Sequence, residues 1–211
     1  MLANLSNELD ITLLHYSTDY VFDGSSTSPY AELNAAFPIN FYGESKFLGE
    51  KAILENTENA LIIRVSWLYD LNNTSSFPRK IIKLAAQKDC ISVVDDQISA
   101  PTSTSLIAQE TAHILKNFIK IDLAKQRIFH ISPNGKCSWY DFAKKILDHS
   151  GLVQKRIVIK KIKSEDLNLP ASRPKFSKLN SDLYKDFFGD RLPSWEKDFQ
   201  NNATDFVRDK S

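Results

Sequence analysis

The sequence predicts an α/β fold built on a parallel sheet that either is small or lies partly outside the chain. Three observations point there. Short apolar runs alternate along the chain with longer helical stretches, the pattern of strands joined by helical crossovers. The first such run, residues 11–17, is almost continuously apolar, as in a strand covered on both faces. It also begins after only ten residues, yet a strand of that kind needs a neighbour on either side.

The elements follow in order. Residues 2–9 read as the end of a helix and 11–17 as the first strand. Residues 23–40, rich in Gly, Ser, Pro and Asn, form a long loop. A helix over 41–55 carries apolar Phe41, Leu48, Ala52 and Ile53, and 60–67 is a second buried strand. After a polar loop at 71–76 comes an amphipathic helix over 77–88, then a short strand at 91–94. Pro101 opens a helix through 116, with Thr102 helping to cap it. A strand at 128–132 precedes a helix over 139–149 capped by Ser138. Residues 156–162 alternate as a strand, 168–175 make a Pro-bearing loop, and a last helix covers 194–208.

At 211 residues the chain suffices for one large domain, or for one domain and a small lobe. Its 42% apolar and 25% charged residues are those of an ordinary globular protein. A net charge of +1 is too near zero for a nucleic-acid binder working by bulk electrostatics. The charge is uneven: residues 150–211 hold 13 Lys+Arg against 9 Asp+Glu, concentrated around Lys155-Arg156 and Lys160-Lys161-Ile162-Lys163. A lysine-guarded strand edge and an anion-handling lobe both account for it. No apolar run reaches the roughly 18 residues of a membrane span, and the first residues do not read as a signal peptide. Cys90 and Cys137 fit no metal or redox spacing; both read as buried thiols of a cytoplasmic protein. His15 and His130, in apolar runs, read as satisfied core histidines. Six glycines are present, and none forms G-x-G-x-x-G or a P-loop.

Two groups of residues carry chemistry. Tyr42 and Lys46 lie four apart on one predicted helix, hence on one face. A phenol of ordinary pKa, about 10, is a poor proton shuttle at neutral pH, and a nearby ammonium favours its ionised form. A bare Y-x-x-x-K pair is also common on helix surfaces. The second group, Ser17-Thr18-Asp19-Tyr20-Val21-Phe22-Asp23-Gly24, follows the carboxyl end of the first strand, where open α/β sheets bind ligands. Hydroxyls there can steady charge developing on a carbonyl oxygen. Together the two groups suit reduction of a carbonyl or oxidation of an alcohol.

Ser17-Thr18-Asp19-Tyr20-Val21-Phe22, Tyr42-Gly43-Glu44-Ser45-Lys46 and Arg64-Val65-Ser66-Trp67-Leu68-Tyr69 resemble the extended short-chain dehydrogenase/reductase superfamily. Within it the chain is similar to the dTDP-4-dehydrorhamnose reductase family. Asp96-Gln97-Ile98-Ser99-Ala100-Pro101-Thr102, Phe129-His130-Ile131-Ser132, Ala171-Ser172-Arg173-Pro174 and Ser177-Lys178-Leu179-Asn180 add to the likeness, in family order over nearly the whole chain. The resemblance implies a partial Rossmann-like parallel sheet with a small C-terminal lobe. Residues 1–150 would be the remaining part of the NAD(P)-binding domain, and 151–211 mainly a substrate-binding lobe and the last helix.

It further implies a catalytic set of Thr18, Tyr42 and Lys46. Tyr42 would protonate the C4 oxygen of a keto sugar as NADP(H) or NAD(H) supplies hydride. Lys46 would lower the Tyr42 pKa and bond the nicotinamide ribose, with Ser17 and Tyr42 also on the cofactor side, and Thr18 would hold the carbonyl. Asp19, Tyr20, Trp67, Gln97 and Arg173 would bind the dTDP-sugar. A guanidinium suits bidentate phosphate contacts. Core packing accounts equally well for Trp67, a surface ion pair for Arg173, and turn or cap roles for Gln97 and Thr102.

The chain departs from the family at its start. Family members open with a strand, a glycine-rich turn and a helix that bind the dinucleotide, and those have no counterpart here. The expectation is an N-terminally truncated reductase, inactive alone, in the cytoplasm. A homodimer and pairing with a separate N-terminal fragment stay open as partners, and no metal is carried over. The alternatives are a non-catalytic binding or regulatory module, and another extended short-chain nucleotide-sugar epimerase or dehydratase.

Overall fold

The run Leu13–Thr18 (β1) pairs in parallel with Ala60–Val65 (β2), and β2 pairs in parallel with Ile128–Ile131 (β7), giving the sheet order β1-β2-β7. These observations come from a computed structural model that describes residues 1–118, 121–150, 157–167 and 170–203. β2 is the central strand, and its whole length is buried. Its side chains alternate between faces. Leu61, Ile63 and Val65 pack toward Thr104–Lys116 (α4) and Asp182–Phe188 (α6), while Ala60 and Ile62 pack toward Phe41–Asn56 (α2).

β1 departs from the expectation of a strand covered on both faces. It is the edge of the sheet, with β2 as its sheet neighbour, and Tyr16 is 40% exposed. Leu2–Glu8 (α1) precedes it and leaves Leu2 and Leu5 exposed, as are Leu9 and Ile11 in the connection. The continuous apolar run therefore reports neighbours that this sheet does not supply. His15 is likewise not satisfied: its Nε2 is buried with no hydrogen-bond partner among the described residues. His130 does fit the expectation. Its Nδ1 lies 3.1 Å from the carbonyl oxygens of both Tyr30 and Asn180.

The remaining strands are short. Leu68–Tyr69 (β3) pairs with Thr102–Ser103 (β6), and Ile98–Ser99 (β5) runs antiparallel to Cys137–Ser138 (β8). Cys90–Val94 (β4) pairs in parallel with Val158–Ile162 (β9), the strand expected over 156–162; Lys155 and Arg156 lie outside the described residues. Lys161 and Lys163 of that basic stretch both reach Asp95. Phe77–Gln87 (α3), Trp139–His149 (α5) and Trp195–Ala203 (α7) close a second core around Phe142 and Phe199. Residues 204–208 of the expected last helix lie outside the described residues.

Three local expectations are corrected. α4 starts at Thr104, and Ser103 caps it, its Oγ accepting from the Leu106 amide at 3.0 Å. Thr102 is instead paired in β6, because the backbone stays extended past Pro101. Cys90 is exposed at the start of β4; Cys137 alone is a buried thiol. Trp67 lies beyond the end of β2 at φ +44°, a left-handed position rare for a bulky residue. Ser138 caps α5 as expected, and Asp141 returns the bond to complete a capping box.

Candidate active site

The chain turns sharply where β1 ends. Thr18 caps a 3-10 turn over Asp19–Val21: its Oγ1 accepts from the Tyr20 amide at 3.2 Å and donates to Asp19 Oδ1 at 3.1 Å. Asp19 is only 2% exposed. Burial pushes its carboxyl up to about 7, against the pull of the Ser177 and Thr18 hydroxyls. Its Oδ2 and the buried Ser17 Oγ have no hydrogen-bond partner among the described residues. Burial also pushes the Tyr20 phenol up to about 12, with the Asp19 charge adding to the effect and Arg173 opposing it.

Helix α2 meets this turn through a glycine. Asn40 caps the helix, accepting from the Gly43 amide at 2.8 Å. A Cβ on Gly43 would fall 2.1 Å from the Tyr20 carbonyl oxygen, so only glycine allows the approach. The contact sets Tyr42 edge-on to Tyr20, ring centroids 5.9 Å apart. One turn later Lys46 Nζ donates to the Tyr16 carbonyl at 2.6 Å. Tyr42 is 54% exposed, open to a ligand. Thr18, Asp19, Tyr20, Tyr42 and Lys46 thus gather at the carboxyl end of β1.

Trp67 and Gln97 belong to a second group, joined through Trp139. The Trp67 and Trp139 rings stack with centroids 3.7 Å apart and planes 9° from parallel. Trp139 Nε1 donates to Gln97 Oε1 at 3.1 Å, and Gln97 Nε2 donates to Ser164 Oγ at 2.9 Å. Two hollows adjoin here and share Gln97 and Arg173. One, of ≈ 390 Å³, is walled by Ile81, Leu84, Val93 and Leu167, with Lys80 at its margin. The other, of ≈ 400 Å³, is lined by Ser164, Glu165 and Lys175. A larger hollow of ≈ 650 Å³ beside Asp70 and Arg79 contains none of the residues singled out from sequence.

Arg173 borders both groups. It is exposed, and the chain around it is tied down. Asn40 Nδ2 donates to the Ser172 carbonyl at 2.9 Å. Gly24, at φ +82°, lies so close that a Cβ there would sit 2.6 Å from Pro174 Cβ. Sequence reasoning gives no site role to Ser177, quoted only for the family likeness and found beside the Asp19 carboxyl, or to Trp139, stacked on Trp67. The capping box at Ser138 and Asp141 was the available signal for Trp139, since it fixes that residue in the first helical turn. No local pattern pairs Ser177 with Asp19, which are far apart in sequence.

Residues 1–208 match the family model described as the RmlD substrate binding domain. A dTDP-4-dehydrorhamnose reductase of Salmonella typhimurium is 34% identical over 201 residues; the match covers 92% of this chain and 66% of that protein, so the chain spans just under two thirds of its length. The structure resembles a dTDP-4-dehydrorhamnose reductase from Clostridium acetobutylicum, with a TM-score of 0.85 at 29% identity, covering 95% of this chain and 68% of that one. It also resembles the Bacillus anthracis dTDP-4-dehydrorhamnose reductase solved in complex with NADP, with a TM-score of 0.85 at 30% identity and the same coverage. The extent of these matches and the shared Rossmann-like fold place the chain in the RmlD substrate-binding family, among the dTDP-4-dehydrorhamnose reductases.

Proposed function

We propose that this chain forms the catalytic and sugar-binding portion of a dTDP-4-dehydrorhamnose reductase, which reduces the C4 keto group of dTDP-4-dehydro-L-rhamnose to give dTDP-L-rhamnose. The observation that carries the reading is the convergence of Thr18, Tyr42 and Lys46 at the end of β1, made possible by the contact of Gly43 with Tyr20. In this reading the Tyr42 phenol gives its proton to the C4 oxygen, and Thr18 holds that oxygen in place. Lys46, already bound to the Tyr16 carbonyl, keeps a positive charge beside Tyr42. Asp19, Tyr20, Trp67, Gln97 and Arg173 form the sugar-nucleotide side, with Arg173 suited to a diphosphate. Residues 1–150 supply the catalytic set and 151–211 mainly the substrate lobe.

The residues present suit one end of a nicotinamide dinucleotide. The Ser17 hydroxyl, without a hydrogen-bond partner among the described residues, the Tyr42 phenol and the Lys46 ammonium offer polar groups for the nicotinamide ribose. Bound, that group would supply hydride. The chain's six glycines make no G-x-G-x-x-G or P-loop pattern, so these 211 residues do not supply the sequence of a pyrophosphate cradle for NADP or NAD. The working enzyme therefore needs that cradle from elsewhere. The open edge of β1 and the exposed Leu2, Leu5, Leu9 and Ile11 favour a glycine-rich N-terminal portion packed there, joined to this chain or supplied separately, over a homodimer. The setting is the cytoplasm; among the described residues no helix is long and apolar enough to cross a membrane.

The test is an NADPH-oxidation assay with dTDP-4-dehydrorhamnose, run on the chain alone and on the chain mixed with the glycine-rich N-terminal third of a relative. Turnover should arise only in the mixture, and Tyr42→Phe should lower it by about 10²–10⁴-fold while sparing sugar-nucleotide binding. Near-normal turnover in the variant removes Tyr42 from the acid role. Binding without turnover in any mixture would favour the non-catalytic module, which the missing glycine turn also fits.

A further inference from the structure

The Thr18 hydroxyl has one proton, and in the structure that proton is already given away. It is donated to Asp19 Oδ1 at 3.1 Å, while the oxygen itself accepts from the Tyr20 amide at 3.2 Å. A group meant to hold a ligand carbonyl must donate to it, and a hydroxyl with its proton on a neighbouring carboxylate cannot. The carboxyl receiving it is enclosed, and its second oxygen has no partner among the described residues. The Ser177 hydroxyl lies close enough to influence it. Tyr20 is the titratable group beside it, and Tyr20 in turn feels Arg173 from the C-terminal segment and Tyr42 from α2.

We infer that Asp19 is a positioning residue that decides where the Thr18 hydroxyl points: inward when the carboxyl is ionised, outward to a ligand carbonyl when it is neutral. This rests on the proposed reductase reading and deepens it. A neutral Asp19 carries its own proton, which it can donate to Thr18 Oγ1, and the Thr18 proton is then released toward the ligand. Between the two states the Asp19 carboxylate takes one proton from solvent, forming its O–H bond, and the hydrogen bond between Asp19 and Thr18 reverses. The enclosure that makes an ionised Asp19 costly favours the neutral form, consistent with its raised pKa. Asp19 thus acts on the ligand carbonyl through Thr18.

Carbon-13 NMR of the chain tests the coupling directly. The Asp19 carboxyl carbon and the Thr18 Cβ should move together between pH 5 and 9 with one shared midpoint near neutrality. In Asp19→Asn, whose amide mimics the neutral acid, Thr18 Cβ should stay flat. An Asp19 carbon that titrates in the ordinary carboxylate range, or a Thr18 carbon unmoved through the Asp19 titration, would overturn the inference. These spectra need no ligand, so they decide it even if the functional reading fails. That reading is checked separately, by calorimetry with dTDP-4-dehydrorhamnose at pH 6 and pH 8. Wild type should lose about tenfold in affinity across this interval, as one linked proton requires, and Asp19→Asn should lose none. Equal affinity of wild type at both pH values counts against the inference, whereas no binding at either counts against the reductase reading.

Discussion

Arg64 and Glu50 form a two-pronged ion pair inside the protein. Arg64 Nε donates to Oε1 at 2.9 Å and Nη2 to Oε2 at 2.6 Å, with both side chains almost wholly buried. Arg64 stands on β2 and Glu50 on α2, one turn beyond Lys46. The pair therefore locks the helix carrying Tyr42 and Lys46 to the central strand. Its net worth against an apolar pair is small, but breaking it strands a charge. Glu50→Ala should cost about 3–5 kcal/mol in urea unfolding. A loss under about 1 kcal/mol would show that the contacts Arg64 keeps, its bond to the Glu32 carbonyl at 3.4 Å and the His130 Nε2 at 3.4 Å, suffice to hold its charge.

Gly43→Ala tests the approach of α2 to the Tyr20 turn. The added methyl would meet the Tyr20 oxygen at 2.1 Å, so one backbone must retreat. A cost of about 1–3 kcal/mol is expected despite the better helix propensity of alanine. Thermal melting measures it; an unchanged or raised melting temperature would mean that the two backbones are not in tight contact.

Two buried groups should give the stability opposite dependences on acid. Burial and the Arg64 charge hold His130 down to about 3 from its ordinary 6.5. The unfolded chain then binds a proton that the folded one refuses, so stability falls as pH drops from about 6.5 toward 3. Asp19, up to about 7 from 3.8, works in the other direction. The folded chain keeps a proton that the unfolded one releases, so stability falls as pH rises from about 4 to 7. Urea midpoints between pH 4 and 6.5 check both signs. Relative to wild type, Asp19→Asn should tilt the profile upward with pH, and His130→Gln should tilt it downward. The same tilt in both variants would refute the pairing.

Calorimetry of the chain with NADPH should give no binding heat, because no glycine turn in these 211 residues can seat the pyrophosphate. Micromolar binding would show that the nicotinamide end suffices by itself.

Much of this molecule was legible in sequence where one element decides the outcome. The Ser138 cap and the apolar period gave α5 to the residue, Trp139–His149. The 60–67 run reads as a buried strand, and β2 is buried over its whole length. The site was legible where its residues share a strand end or a helix face, as Tyr42 and Lys46 do. It was not legible where distant segments meet. The place of Ser177 beside Asp19, and the hold of Gln97 on Trp139 and Ser164, depend on how the C-terminal segment folds back. The covered-strand reading of β1 failed because apolar composition records what a strand is made to contact. It cannot say whether that contact lies within the same chain. Cys90 failed similarly: a thiol in an apolar strand was read as buried, but it opens the strand at the surface.

The bond from Asn40 to Ser172 spans 132 residues, and Tyr30 and Lys178 pair in the same region. Arg173, Ser177 and the wall beside Asp19 therefore arrive only when the last part of the chain has left the ribosome. The order of synthesis thus makes the pocket a late product of folding. Such long-range closure is slow compared with local helix formation. A nascent chain halted near residue 150 would hold Thr18, Asp19, Tyr42 and Lys46 in sequence, yet the segment that packs beside Asp19 would be absent.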